Sequence, residues 1–222
     1  GSKVFYDRTN PELNTVSANS WNPWNQSWAR VGNGCRISTN ASEELLTISA
    51  TINTQSTSLD THSLTEHDIN YTFSESDPEG PFTIEIVFTD SAGNEGDPVM
   101  VTTDNSLVIF DKTSPSDFTV GDVVSTGGNT VANFWNSTNT GLNITIPIES
   151  DSTLDSGRVQ ILAKTGANDF ELLGDYTFIT SPEVGATKTV SIPGDSIRAI
   201  TGYIENDTLT LNAYIFDIPG NE

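Results

Sequence analysis

Apolar residues recur at every second position along most of this chain. The pattern is clearest in Leu46-Thr47-Ile48-Ser49-Ala50-Thr51-Ile52, in Thr83-Ile84-Glu85-Ile86-Val87-Phe88, in Leu142-Asn143-Ile144-Thr145-Ile146-Pro147-Ile148 and in the run 208–216. Side chains of an extended strand point to opposite faces in turn, so period-two runs rich in β-branched residues read as strands with one buried face. Helical periodicity is nearly absent. Turn-forming clusters separate the runs, among them Asp77-Pro78-Glu79-Gly80, Gly127-Gly128-Asn129 and Thr165-Gly166-Ala167-Asn168-Asp169. Short strands spaced by such turns predict an all-β chain folded as an antiparallel sandwich.

Charge narrows the function. Lys and Arg number 9 against 30 Asp and Glu, a net charge of −21. A surface this acidic repels phosphate backbones and anionic lipids, so neither nucleic acid nor a membrane surface is an expected partner. No apolar run approaches the ~18–20 residues that would span a bilayer, so no membrane insertion is expected. The single Cys35 cannot form an intrachain disulfide, a usage that fits a reducing compartment and equally the secreted surface proteins that avoid Cys. The opening Gly1-Ser2 reads as a cloning remnant, and the chain is expected to be a piece of something longer.

An internal repeat sets the organisation. Val4-Phe5-Tyr6-Asp7-Arg8-Thr9-Asn10-Pro11 matches Val108-Ile109-Phe110-Asp111-Lys112-Thr113-Ser114-Pro115, 104 positions later. Phe88-Thr89-Asp90-Ser91-Ala92-Gly93-Asn94-Glu95 matches the closing Ile215-Phe216-Asp217-Ile218-Pro219-Gly220-Asn221-Glu222, 127 positions later, so the second unit carries 23 more residues. Two sandwich domains in tandem are predicted, 1–114 and 115–222, joined where Pro115 restricts Ser114.

These motifs carry a resemblance. In the first unit they are Arg30-Val31-Gly32-Asn33, Ala41-Ser42-Glu43, Ser76-Asp77-Pro78-Glu79-Gly80-Pro81, Phe88-Thr89-Asp90-Ser91-Ala92-Gly93-Asn94 and Phe110-Asp111-Lys112-Thr113-Ser114-Pro115. In the second they are Phe118-Thr119-Val120-Gly121, Phe134-Trp135-Asn136-Ser137-Thr138-Asn139-Thr140-Gly141, Ala199-Ile200-Thr201-Gly202-Tyr203 and Asp217-Ile218-Pro219-Gly220-Asn221. In that order, and over nearly the whole chain, they resemble the tandem bacterial Ig-like repeats of very long cell-surface proteins. The resemblance implies two Ig-like sandwiches, an extracellular or cell-surface location, a stalk or adhesin role beside neighbouring repeats of the same protein, and no catalysis. Cys35 stands where that pattern has an aliphatic residue and reads as a small core side chain. The pattern's last strand has no counterpart after Glu222, and residues 3–7 resemble the end of that strand from a preceding repeat.

Calcium is the cofactor such a layout suggests. It takes six to eight oxygens from carboxylates, amides and backbone. In an Ig-like sandwich the loops after the second and sixth strands meet at one end, where the first strand also enters. That places Asp7, Glu43, Asp90 and Asn94 at one pole of the first unit, and Asp111, Asp151, Asp217 and Asn221 at the matching pole of the second. A cation there would tie a linker to the next unit. Turn chemistry alone is the competing explanation, because Asp, Asn and Gly favour tight turns without a metal.

Other constellations are weaker. His62 and His67, five apart in a polar stretch, read as solvated and match no zinc spacing. No nucleophile, base or phosphate-cradling glycine loop is organised, so the chain is not expected to be an enzyme. Trp28 and Trp135 read as core. Trp21 and Trp24 lie in a polar, Pro-containing loop and read first as cover for a sheet edge or packing on a neighbouring domain, and otherwise as a surface that stacks on a glycan or protein. The missing last strand reads first as a chain simply cut there; the alternative is head-to-tail self-association by strand addition, with residues 3–7 of one copy beside 208–217 of another.

Overall fold

The structure is a computed structural model that describes residues 1–204 and 206–222. It is almost entirely β, with one short α-helix among the described residues, Gly194–Arg198. No helix among the described residues is long and apolar enough to cross a membrane. The chain divides into two compact units, Gly1–Lys112 and Thr113–Glu222, two residues short of the boundary expected from Pro115.

The first unit is a sandwich of antiparallel sheets. One sheet runs Leu13–Ser20, Gly34–Ala41, Glu66–Thr72, Ser58–Thr61 in spatial order. The other runs Gln55–Ser56, Leu45–Ile52, Ile84–Asp90. The alternation maps onto burial as the pleat requires. Along Ile84–Asp90 every second residue is buried, and Cys35, Ile37 and Thr39 face inward opposite Tyr71, Ile69 and His67. A short strand, Ile109–Phe110, closes the unit, parallel to Trp28–Ala29 and antiparallel to Gly80–Pro81. It delivers Phe110 onto Phe73, their rings stacked at 4.9 Å.

The second unit repeats this plan. Val123–Thr126, Gly141–Pro147 and Thr187–Pro193 form one sheet. Arg158–Thr165 forms the other, between Leu209–Phe216 on one side and the short Glu171–Leu172 and Thr177–Phe178 on the other. The extra residues are spread over three connections. They form the turn of 3₁₀ helix Ser152–Leu154, the segment from Glu171 through the 3₁₀ helix Ser181–Glu183, and the helix Gly194–Arg198. Arg158–Thr165 is buried almost throughout, because the inserted segment covers its outer face. There the Arg158 guanidinium lies 4.8 Å from the Phe216 ring centre, and Gln160 Nε2 donates to the Gly174 carbonyl at 3.1 Å.

Several sequence expectations need correction. His67 is not solvated: it sits inside the first sandwich opposite Thr39, while His62 is exposed and lies 2.9 Å from Asp68. Trp28 is half-buried rather than core, while Trp135 is half-buried and packs against the core of the second unit. Apart from these corrections, residues 1–10 lie outside the strands of this unit, and Val4, Phe5 and Tyr6 are exposed. Cys35 is fully buried, and burial pushes its thiol up to about 12, which makes it an inert core residue.

The turn at Asp77 holds a network that residue spacing did not reveal. Asp77 is buried and accepts from the Tyr71 hydroxyl at 2.7 Å, from Ser74 N–H at 2.8 Å and from Ser74 Oγ at 2.9 Å. Burial alone would raise its pKa, but these hydrogen bonds outweigh it and hold the carboxyl below its ordinary 3.8. Lys112 Nζ donates to the Glu75 and Asp77 carbonyls, pinning the end of the unit to the same turn. A depressed folded pKa adds stability that is fully present above the unfolded value and is lost as pH falls through the folded one. Asp77→Asn is therefore expected to destabilise the first unit by about 1.5–3 kcal/mol at neutral pH. In urea melts the gap to the parent should narrow as pH drops below 3.8.

Candidate metal centre

The strand ends decide what gathers at one pole of the first unit. Gly34–Ala41 lies in one sheet and Leu45–Ile52 in the other, so the chain crosses between sheets in the turn that carries Glu43. Asp90 ends its strand directly opposite Leu45, where the register shifts between Leu45 and Thr47. The incoming chain is tied to the same turn: Glu12 N–H donates to Ser42 Oγ at 2.9 Å, and Ser42 N–H donates to the Glu12 carbonyl at 2.8 Å. Pro11, next to Glu12, is buried, and Asp7 lies four residues before it on the same incoming segment.

One carboxylate oxygen from each of Asp7, Glu43 and Asp90 lies within 4.8 Å of the others. Asp7 is exposed, Glu43 half-buried and Asp90 buried. Burial and the charges of Asp7 and Asp90 push the Glu43 carboxyl up from its ordinary value. Asp90 behaves oppositely. Burial would raise it, but hydrogen bonds from Asn94, Ala92 and Gly93 prevail and hold it low.

The Asp90 loop is built around that carboxylate. Oδ1 accepts from Ala92 N–H and Asn94 N–H, both at 2.8 Å, and Oδ2 accepts from Asn94 Nδ2 at 2.7 Å. Gly93 closes the turn at φ +90°, where a side chain would be strained. A carboxylate offers about four lone-pair sites, so Oδ2 keeps acceptor capacity after these bonds. Asn94 thus holds Asp90 in place through its amide nitrogen.

The second unit repeats the loop with one change. Asp217 is fully buried, its Oδ1 accepts from Gly220 N–H at 2.7 Å and Asn221 N–H at 2.6 Å, and its Oδ2 from Asn221 Nδ2 at 2.8 Å. Pro219 occupies the place of Ala92 and has no N–H, so Gly220 donates instead. Asp151 caps the Ser152–Leu154 turn, its Oδ1 accepting from Thr153 N–H at 2.9 Å. The Thr153 carbonyl accepts from Ile218 N–H at 2.9 Å, which ties this turn to the Asp217 loop. Within the second unit the described residues hold no group of three carboxylates as close as the first. Asp111 belongs to the first unit, where it follows Phe110, is buried, and donates its N–H to the Ala29 carbonyl at 2.9 Å.

The two loop tryptophans lie on the same unit and are accessible, Trp21 at 57% and Trp24 at 52%. Sequence reading did not single out their neighbours Asn19, Gln26 and Arg36. The signal was the pleat itself, since Asn19 and Trp21 are two apart and Asn19 pairs with Arg36.

The chain matches no family model, no curated protein and no solved structure.

Glu43 supplies a direct test of the crowding. Its folded pKa lies above the unfolded value, so the folded state binds the extra proton, and this group's contribution to stability rises as pH falls. In chelator at neutral pH, Glu43→Gln is expected to melt no lower than the parent, because it removes a repelled charge. The difference should close as pH drops into the carboxylate range, read by thermal melts at stepped pH.

Proposed function

We propose that this chain is a non-catalytic structural spacer of a secreted or surface-anchored repeat protein, its partners being neighbouring repeats, and that calcium stiffens its linkers. The spacer reading is supported by two units built on one plan. In the first unit Leu13–Ser20, Gly34–Ala41 and Glu66–Thr72 share a sheet and Leu45–Ile52 pairs with Ile84–Asp90; in the second Val123–Thr126, Gly141–Pro147 and Thr187–Pro193 share a sheet and Arg158–Thr165 pairs with Leu209–Phe216, the arrangement of immunoglobulin-type sandwiches. It is supported also by the ordered motifs that resemble bacterial Ig-like repeats. The non-catalytic part rests on the sequence, where no nucleophile and base stand at a recognisable spacing.

The Asp7–Glu43–Asp90 group carries the calcium part. The donor set fits a hard cation: all ligand atoms are oxygens, they come from three separate segments, and Asp90 Oδ2 keeps acceptor capacity. Three carboxylates would supply part of the shell, with backbone or water completing it. Calcium would supply the positive charge that their mutual repulsion lacks. It would also fix the incoming segment at Asp7 to the body of the unit.

Thermal melts test this. A ligand bound only by the folded state at one hundred times its dissociation constant adds about 2.7 kcal/mol. That corresponds to a rise of roughly 5 °C or more for a chain of this size. We expect such a rise in millimolar Ca²⁺ over chelator, not reproduced by Mg²⁺ and lost in Glu43→Gln. Equal melting in chelator and Ca²⁺ would overturn the calcium reading.

A further inference from the structure

Beside the Leu13–Ser20 and Gly34–Ala41 strands, the loop that follows Ser20 shapes a cleft of about 420 Å³. Its walls are Trp21 and Trp24, with Asn19, Asn25, Gln26 and Arg36 around them. We propose that this cleft is a binding site for the pyranose rings of a neutral oligosaccharide. This reading stands apart from the calcium proposal and uses none of its residues.

The geometry is preorganised. Trp21 N–H donates to the Gly34 carbonyl at 2.7 Å, which extends the pairing of the two strands by one residue. Opposite Trp21 stands a glycine, and the six-membered ring of the indole lies flat on its backbone. A Cβ built on Gly34 would fall 2.1 Å from Trp21 Cε3. One indole face is thereby seated on the sheet while the residue remains 57% exposed. The loop beyond is fixed from beneath by Asn22, which is buried. Asn22 Oδ1 accepts from Trp24 N–H at 2.9 Å and its Nδ2 donates to Asn33 Oδ1 at 3.2 Å. Ser20 N–H donates to the Gln26 carbonyl at 2.8 Å, and Trp28 N–H to the Asn25 carbonyl at 3.0 Å. Two large aromatic side chains are thus presented to solvent on a hydrogen-bonded frame, an arrangement that sandwich stability does not require.

Charge selects the ligand class. The chain carries 30 acidic residues, yet none lines the cleft. A cation finds no carboxylate there, and a polyanion is repelled by the net charge of −21. Arg36 is already paired, 3.6 Å from Asp68. What remains is flat π surface and neutral amides. An indole face is negative and attracts the weakly positive C–H face of a sugar ring. Asn and Gln side chains both donate and accept, as sugar hydroxyls do. A cleft of this size matches pockets that hold small ligands.

The test titrates the whole chain with neutral pentasaccharides of glucose, mannose, galactose and N-acetylglucosamine, and with a proline-rich peptide, following tryptophan emission. We expect a saturable change with at least one sugar, at least about tenfold weaker in Trp24→Ala and in Trp21→Ala. Gly34→Ala, which lifts the indole from its seat, should weaken binding as well. Thermal melts of each variant establish that it is folded, and Trp24→Ala carries the test if Trp21→Ala is not. The proposal is overturned if no sugar gives a saturable change up to about 10 mM. It is overturned also if folded variants respond like the parent, or if only the peptide binds.

Discussion

Side chains of an extended backbone alternate between two faces, and both units depend on that alternation. A slip of one residue would bring Glu85, Val87 and Thr89 inward in place of Ile84, Ile86 and Phe88. With the register fixed by burial, the ends of the strands are fixed too. The turn at Glu43 must cross from one sheet to the other, and Asp90 must fall opposite Leu45. The outer face is determined in the same way. Asn19, Trp21 and Arg36 share it because Ser20 and Cys35 take the inner one. Neither the carboxylate group nor the aromatic cleft needs its own folding rule.

Acidity gives the second constraint. With 9 basic residues against 30 acidic ones, cationic side chains cannot match most of the carboxylates. The structure uses N–H and O–H donors instead. Asp77 takes its bonds from Tyr71 and Ser74, Asp90 from Ala92 and Asn94, and Asp217 from Gly220 and Asn221. Such donors stabilise the charge and leave it in place. That is why Asp90 stays ionised beneath Glu43, and why Glu43 is the carboxyl whose protonation is favoured. The turn explanation and the metal explanation for these loops are therefore compatible. The hydrogen bonds build the loop and leave Asp90 Oδ2 with acceptor capacity, and one Asp90 carboxylate oxygen lies within 4.8 Å of an oxygen from each of Asp7 and Glu43.

Period-two runs made the strands legible, down to Leu45–Ile52 and Ile84–Asp90 within a residue or two of the expected runs. The grouping of Asp7 with Glu43 and Asp90 was legible as well, because strand order alone dictates which loops share a pole. The misreadings share a cause. Polarity was taken as a sign of exposure, but His67 is a strand residue at an inward position, and position on the pleat decided its burial. Trp28 failed in the other direction: its place just before Val31 reads as an apolar core position, yet it is half-buried. The Tyr71–Asp77 pair went unseen because it joins a strand to a turn through side-chain geometry that period and composition do not encode. Arg158 was missed because its cover comes from an insertion with no counterpart in the first unit.

The central claim is that calcium binds where Asp7, Glu43 and Asp90 converge. Amide NMR during a Ca²⁺ titration addresses it most directly, because Ala92 and Asn94 N–H donate into Asp90 Oδ1 and report on that carboxylate. The account predicts saturable shifts at these two amides together with those beside Asp7 and Glu43. Amides at Ala92 and Asn94 that stay still through millimolar Ca²⁺ would contradict it.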